Sequence, residues 1–187
     1  MRTQPEPAER YRPFASIPRR NLMQEYLEVP ALIRALGIPR GKRILEVGCG
    51  RGMALPPIAK LCAPARLVGL DIDAEALADA RRHVAERHVA AELVDGDVRA
   101  IPFPDASFDV VVDFGTCFHI SHPEQALAEI TRVLAPGGWF VYETPVSQLL
   151  SHPVRSFGRR LPWRAAPSLA RFRGRLLWGA RRKSAQA

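Results

Sequence analysis

Apolar residues in this chain come in short runs, and the runs alternate between two periods. "RILEV" (Arg43 to Val47), "RLVGLDI", "AAELVDGD", "FDVVVDF" and "WFVYETP" read as five strands. "FDVVVDF" carries the continuous apolar stretch that buried parallel strands show. Between them lie segments of helical period. Met53 to Leu61 follows the first strand, with Pro56 and Pro57 tolerable only in a first turn. "DAEALADARRHVAER" follows the second, with Ala76, Leu77, Ala80 and Val84 on one face, and "PEQALAEITRVLA" follows the fourth. Ahead of the first strand, Asn21 to Leu36 has near-helical spacing, with Asn21 as N-cap and Gly37 as stop. Pro30 interrupts it, which predicts two short helices or a kink.

Strands alternating with helices of this length predict an α/β fold, a doubly wound, mostly parallel sheet with helices on both faces. The expected organisation is a loose arm over 1–20, a ligand-binding domain over 21–147 and a basic segment over 148–187. The 187 residues suit one domain with a proper core. No apolar run approaches the roughly 20 residues that span a bilayer, and "MRTQPEPAERYRP" lacks the apolar core of a signal peptide, so the expected location is cytoplasmic. Cys49, Cys62 and Cys117 have neither disulfide-framework nor zinc-ligand spacing and read as buried thiols; no metal is expected.

Charge changes this picture only when divided. From Pro145 onward there are ten basic residues and no acid, leaving 17 basic against 19 acidic over the rest. The near-neutral domain thus ends in a basic tail. There Leu169, Phe172 and Leu176 fall on one helical face with Arg171, Arg175 and Arg182 around it, and Trp163 and Trp178 add bulk. Such a segment could lie on an anionic membrane, bind nucleic-acid phosphates, or pack on the sheet edge with solvated arginines.

The candidate chemistry begins at "ILEVGCGRG" (Ile44 to Gly52), where Gly48, Gly50 and Gly52 stand directly behind a buried strand. A glycine-rich turn at that place admits a ligand close to the backbone. The dinucleotide fingerprint G-x-G-x-x-G is not met, because Met53 stands where its third glycine belongs. A nicotinamide-dependent oxidoreductase is accordingly disfavoured. Glu46 would also repel a pyrophosphate.

The pattern E-x-G-x-G-x-G resembles motif I of the class I S-adenosylmethionine-dependent methyltransferases. "VGLDID", "VDGDVRAIPFPDASFDVVV" and "FHISHPEQALAEITRVLAPGGWF" resemble the family's later segments, in order and register from about Arg43 to Glu143. The resemblance implies S-adenosyl-L-methionine as cofactor and Glu46, Gly48, Cys49, Gly50 and Gly52 as its loop. It implies Asp71, with Ile72, at the ribose hydroxyls and Asp97 and backbone Val98 at the adenine. Asp113, Gly115 and Thr116, following the fourth strand, are candidates near the methyl end, Asp113 as a buried acid that could hold the cofactor's amino group or orient the acceptor. Asp71 and Asp73 compete as helix cap, Asp73 being the better placed. Asp109 reads as an ordinary solubilising acid.

The implied reaction is in-line methyl transfer to a small-molecule acceptor, an apolar character for it being suggested only by the Trp-bearing tail. His119 and Asp113 are the candidate catalytic residues, each weighed against a structural role; His122 reads as a helix-start residue, and Tyr11 and Tyr26 as lid or packing. The segment "DFGT" lacks the N-P-P-Y-like tetrapeptide that accompanies amino-group acceptors in related enzymes. Most family members end in a helix and a β-hairpin that completes seven strands. No strand is legible in this tail, so a reduced C-terminal end lacking that hairpin is expected. The competing function is a non-catalytic module whose basic tail binds RNA, membrane or a protein.

Overall fold

The computed structural model describes residues 17–151 and 160–185. Seven strands form one sheet in the order β3-β2-β1-β4-β5-β7-β6. β1 (Arg43–Val47), β2 (Arg66–Asp71), β3 (Glu92–Asp95), β4 (Phe108–Asp113) and β5 (Leu134–Glu143) are parallel. β6 (Leu169–Gly174) and β7 (Trp178–Lys183) are antiparallel, β7 lying against β5. Successive side chains of a strand point to opposite faces, and each face has its own core. Leu45, Val47 and Val111 pack with Leu127, Ile130 and Val133 of α6 (Pro123–Val133). Ile44, Val110 and Val112 pack with α2 (Val29–Leu36) and α3 (Leu55–Cys62) on the other side. The remaining helices are α1 (Ile17–Met23), α4 (Ala74–Glu86), the four-residue α5 (Thr116–His119) and α7 (Pro145–Ser151).

Pro30 acts as its chemistry requires. The chain runs from α1 through a π-helical turn at Gln24–Glu28 into α2, with Pro30 inside the first turn of α2. Proline has no N–H to give and its ring crowds the preceding turn. The helix widens there, with the Val29 N–H reaching back to Gln24 O. Glu25 on the widened turn is buried and pairs with Arg87 beyond α4 at 2.8 Å. Asp109 is likewise more than a solubilising acid. It accepts the Arg43 backbone N–H at 2.9 Å and its guanidinium at 2.8 and 3.1 Å, pinning the start of β1 to β4.

The expected loss of the C-terminal hairpin is corrected. β6 and β7 are that hairpin, and residues 169–183 belong to the same sheet as the rest. Nor do Leu169, Phe172 and Leu176 share a helical face. Leu169 is in the core, Phe172 rests edge-on against Trp139 at 4.9 Å, and Leu176 is exposed in the turn. The misreading has a physical origin: β6 is an edge strand with only Leu169 buried, so it shows no alternation of apolar and polar residues. Its stabilisation comes from arginine stems and ring faces. Arg181 lies 3.8 Å over Trp163, and Arg173 4.8 Å over Trp139. Arg173, Arg181, Arg182 and Lys183 each donate to a backbone carbonyl, those of Leu36, Leu169, Gly137 and Leu134. Charge along the edge also discourages pairing with another sheet. The expected arm over 1–20 lies outside the described residues except for 17–20, which are helical.

Candidate ligand-binding and active site

In an open parallel sheet, the place where strand order reverses leaves a crevice at the carboxyl ends of the strands. Here the chain builds β1, β2 and β3 to one side and returns to β4 on the other side of β1. The glycine loop after β1 borders that crevice, and its three glycines have three different reasons. Gly48, at φ +64°, lies against Thr116, where any Cβ would overlap the Thr116 hydroxyl. Gly52, at φ +75°, lets the loop approach α4, a Cβ there meeting Ala80 Cβ at 3.1 Å. Gly50 has φ +51° and open space beyond it, and its N–H points to Asp71 Oδ2 at 2.6 Å. Of the three, Gly50 alone faces room for a ligand.

Three acids meet behind this loop. Glu46 is buried, and its Oε2 has no hydrogen-bond partner among the described residues. Burial, then the charges of Asp71 and Asp113, hold its carboxyl well above the usual range. Asp71 ends β2 and accepts the N–H groups of Gly50 and, at 2.9 Å, Asp73; burial raises it against those bonds. Asp73 is the cap of α4, accepting the N–H groups of Glu75 and Ala76. Asp113 ends β4 and spends its carboxylate on the N–H groups of Gly115 (2.9 Å), Thr116 (2.6 Å) and Cys117 (3.2 Å). Burial raises it too, partly offset by these bonds, and the carboxylate satisfies the first N–H groups of α5, whose N-cap residue is Gly115. An orphaned buried carboxyl among other acids is costly without a partner. Its complement is a cationic ligand: an ammonium would donate to the orphaned oxygen and a sulfonium would suit the acids' charge, where a pyrophosphate does not fit.

Asp97 and Val98 follow β3. Val98 is buried, whereas Asp97 is bound to Arg99, whose backbone N–H and guanidinium reach both carboxylate oxygens at 2.8–3.0 Å. Burial works to raise the Asp97 carboxyl, but the Arg99 contacts outweigh it and hold it low. Arg99 also donates to Ser121 Oγ at 2.7 Å, bridging the loops after β3 and α5. Cys49 is buried with its thiol pushed far up by burial and by the charges of Glu46 and Asp71, so it is no nucleophile. Ile72 is half exposed beside Asp71.

The family model described as a methyltransferase domain matches residues 45–142, which carry the glycine loop and all the acids just described. The chain belongs to the class I S-adenosylmethionine-dependent methyltransferases. Among its relatives, a fatty-acid O-methyltransferase of Mycolicibacterium smegmatis is 40% identical over 104 residues, covering 54% of this chain and 36% of that protein. A phthiotriol/phenolphthiotriol dimycocerosates methyltransferase of Mycobacterium tuberculosis is 36% identical over 102 residues, covering 54% and 37%. The chain thus matches little more than a third of the length of these curated relatives. A solved S-adenosylmethionine-dependent methyltransferase of Aquifex aeolicus superposes with a TM-score of 0.71 over 87% of this chain and 92% of that one, at 18% identity, which speaks for the fold.

Within this methyltransferase fold, His119 closes α5, and its Nε2 lies 2.9 Å from Gln148 Oε1 of α7. The Gln148 amide nitrogen donates in turn to Glu143 Oε2 at the end of β5. His122 starts α6 in a left-handed conformation, held by Glu124 at 3.1 Å. Tyr26 faces outward and its hydroxyl meets Arg87 at 2.9 Å, while Tyr11 lies outside the described residues. Glu143, Gln148 and Arg99 were not picked out from sequence. Glu143 carried a usable signal, an acid ending a buried strand, the same signal that marks Asp113. Among the described residues no group of His, Cys, Asp and Glu could hold a metal, and no helix is long and apolar enough to cross a membrane.

Proposed function

We propose that this chain binds S-adenosyl-L-methionine at the carboxyl ends of β1, β2 and β4 and transfers its methyl group to a small, apolar molecule bearing a hydroxyl or carboxyl. The observation carrying the reading is the buried, unpartnered Glu46 oxygen behind the glycine loop, flanked by Asp71. Glu46 would face the cofactor's cationic methionine end, Asp71 its ribose hydroxyls, and Asp97 with backbone Val98 its adenine. Gly48, Cys49, Gly50, Gly52 and Ile72 would line its path, and Gly115 the end near β4. The bound cofactor supplies an electrophilic methyl carbon with a good leaving group. What remains for the protein is to align the acceptor, exclude water and take up a proton when the acceptor holds one.

His119, which closes α5, is the residue we assign to take that proton. Asp113 positions instead, since its oxygens already hold the start of α5. The apolar acceptor class is supported by the names of the two relatives, a fatty-acid and a phthiotriol-type methyltransferase. The alternative of a non-catalytic basic module draws no support, because most hairpin cations are engaged within the fold. Calorimetric titration of S-adenosylhomocysteine, followed by mass-spectrometric detection of methylated fatty acids, tests the reading. Micromolar-range binding with methyl ester formation is expected; a folded protein that binds no S-adenosylhomocysteine would overturn it.

A further inference from the structure

The β6 edge of the sheet carries charge without counter-charge. From Pro145 onward the sequence holds ten basic residues and no acid. An open cleft between the end of α2 and β6 is lined by Arg34, Arg173 and Arg175, with Phe172 and Gly37. Arg182 reaches the same face, its guanidinium 5.3 Å from the Phe172 ring. All four arginines are exposed, and none forms an ion pair with a carboxylate among the described residues. Arg173, Arg175 and Arg182 donate to the carbonyls of Leu36, Gly174 and Gly137. A carbonyl fixes the place of a guanidinium but leaves its charge uncancelled.

Charge alone is explained by the need to keep an edge strand from pairing with another sheet. The apolar side chains beside it are not. Leu176, in the turn between β6 and β7, is 72% exposed, at a place where glycine, asparagine or aspartate is the usual choice. The turn's backbone is held: the Leu176 carbonyl accepts from Thr144 Oγ1 at 2.7 Å and the Leu177 carbonyl from the Thr144 N–H at 2.9 Å. Just beyond Thr144, Val146 and Leu150 lie one turn apart on α7 and are exposed too. An isolated exposed leucine needs no account, but these three adjoin one residue at the mouth of a basic cleft.

We propose that the cleft and the β6–β7 turn form a docking surface for an anionic lipid bilayer. Leu176 enters the interface, and Arg34, Arg173, Arg175 and Arg182 meet the lipid phosphates. Nucleic-acid phosphates would satisfy the same charge but would leave the apolar side chains unexplained. Proteins that hold single strands also offer open ring faces to the bases. The Phe172 ring is already covered by Arg173 at 5.0 Å, by Arg182 and by Trp139. Trp178 at the start of β7 pairs with Glu143 at the end of β5. The turn therefore stands at the carboxyl end of the parallel strands, where the crevice opens, and docking brings that end to the lipid. The surface goes beyond the methyl-transfer reading and does not depend on it.

Co-sedimentation of the full chain, without cofactor, with large unilamellar vesicles tests the surface. The vesicles are phosphatidylcholine alone or equimolar phosphatidylcholine and phosphatidylglycerol, at about 0.1 M and about 0.5 M salt. The wild type is expected to bind the anionic vesicles, to leave them at the higher salt and to ignore the neutral ones. An arginine near an anionic surface contributes about five-fold to binding, so Arg34→Gln with Arg175→Gln is expected to weaken it about 25-fold. Leu176→Ser is expected to weaken it about ten-fold with the salt dependence kept. These side chains are exposed, and unchanged thermal unfolding shows that the variants are folded. Binding to neither vesicle, equal binding to both, or anionic binding that the variants leave unchanged overturns the proposal. A labelled single-stranded RNA that binds in place of the vesicles, indifferent to Leu176→Ser, overturns it in favour of a nucleic-acid surface. Absence of S-adenosylhomocysteine binding bears on the proposed function and not on this surface.

Discussion

The Asp71 carboxylate holds the backbone N–H of Gly50 at 2.6 Å, tying the glycine loop after β1 to the end of β2. Its other oxygen holds the Asp73 N–H at 2.9 Å. One side chain therefore fixes the loop and the start of α4 before any ligand arrives. Asp71→Ala leaves two N–H groups without their acceptor, that of Gly50 part-buried and that of Asp73 exposed, a net loss of about 0.5–1.5 kcal/mol per bond. The expected result is a lower urea midpoint together with loss of S-adenosylhomocysteine binding by calorimetry. Asp71→Asn, which keeps one acceptor oxygen, is expected to restore more of the stability than of the binding.

The neighbouring glycines separate packing from conformation. Gly48 and Gly50 both have positive φ, so alanine at either carries roughly 1–2 kcal/mol of backbone strain. Only at Gly48 does the added carbon strike a neighbour, Thr116, whose hydroxyl also donates to Val47 O at 3.2 Å. Gly48→Ala is therefore expected to be the more destabilising, by about a further 1–3 kcal/mol. Denaturation of the two variants side by side checks this; equal midpoints would show that Thr116 moves aside freely.

Most of the parallel half of the sheet was legible because its strands are buried and punctuated by glycine, and the acids at Glu46, Asp71 and Asp97 stand at resemblance-bearing positions. The crossing of β6 and β7 was not, since arginines on both faces of an edge hairpin erase the period-two pattern. Asp113 was legible as a buried acid but not as the acceptor for the first N–H groups of α5, because the four-residue α5 is too short for periodicity. The line from Glu143 through Gln148 to His119 joins residues up to 29 apart in sequence, and its meeting depends on tertiary packing alone.

If the hairpin arginines hold the fold together, their loss should be felt in stability before anything else. Arg181 covers Trp163 and donates to Leu169 O at 2.7 Å, so Arg181→Ala removes a stacking contact and leaves a carbonyl to water. A loss of about 1–2 kcal/mol is expected. Arg171 stands exposed on β6, and its replacement by alanine is expected to change stability by less than about 0.5 kcal/mol. Thermal unfolding of the two variants makes the comparison; equal, small effects would mean that the ring contact contributes little.

Glu143 gives the fold a pH dependence of definite sign. Burial pushes its carboxyl up to about 7, with Arg20 opposing and Glu28 and Asp113 adding to the rise. An unfolded glutamate titrates near 4.3, so between these values the folded state holds the proton more tightly. Stability from this group is fully present below about pH 4 and is lost as the pH rises through about 7. At about 1.4 kcal/mol per unit the loss amounts to roughly 4 kcal/mol. Glu143→Gln removes the titration while keeping the side-chain shape. The difference in unfolding free energy between variant and wild type, followed by urea melts from pH 4 to 8.5, is therefore expected to shift in favour of the variant as pH rises. The Asp109 carboxyl, held low chiefly by its Arg43 hydrogen bond, has the opposite slope at acid pH, but it is common to both proteins and cancels in the difference. A flat difference across that range would place the Glu143 carboxyl near its ordinary value.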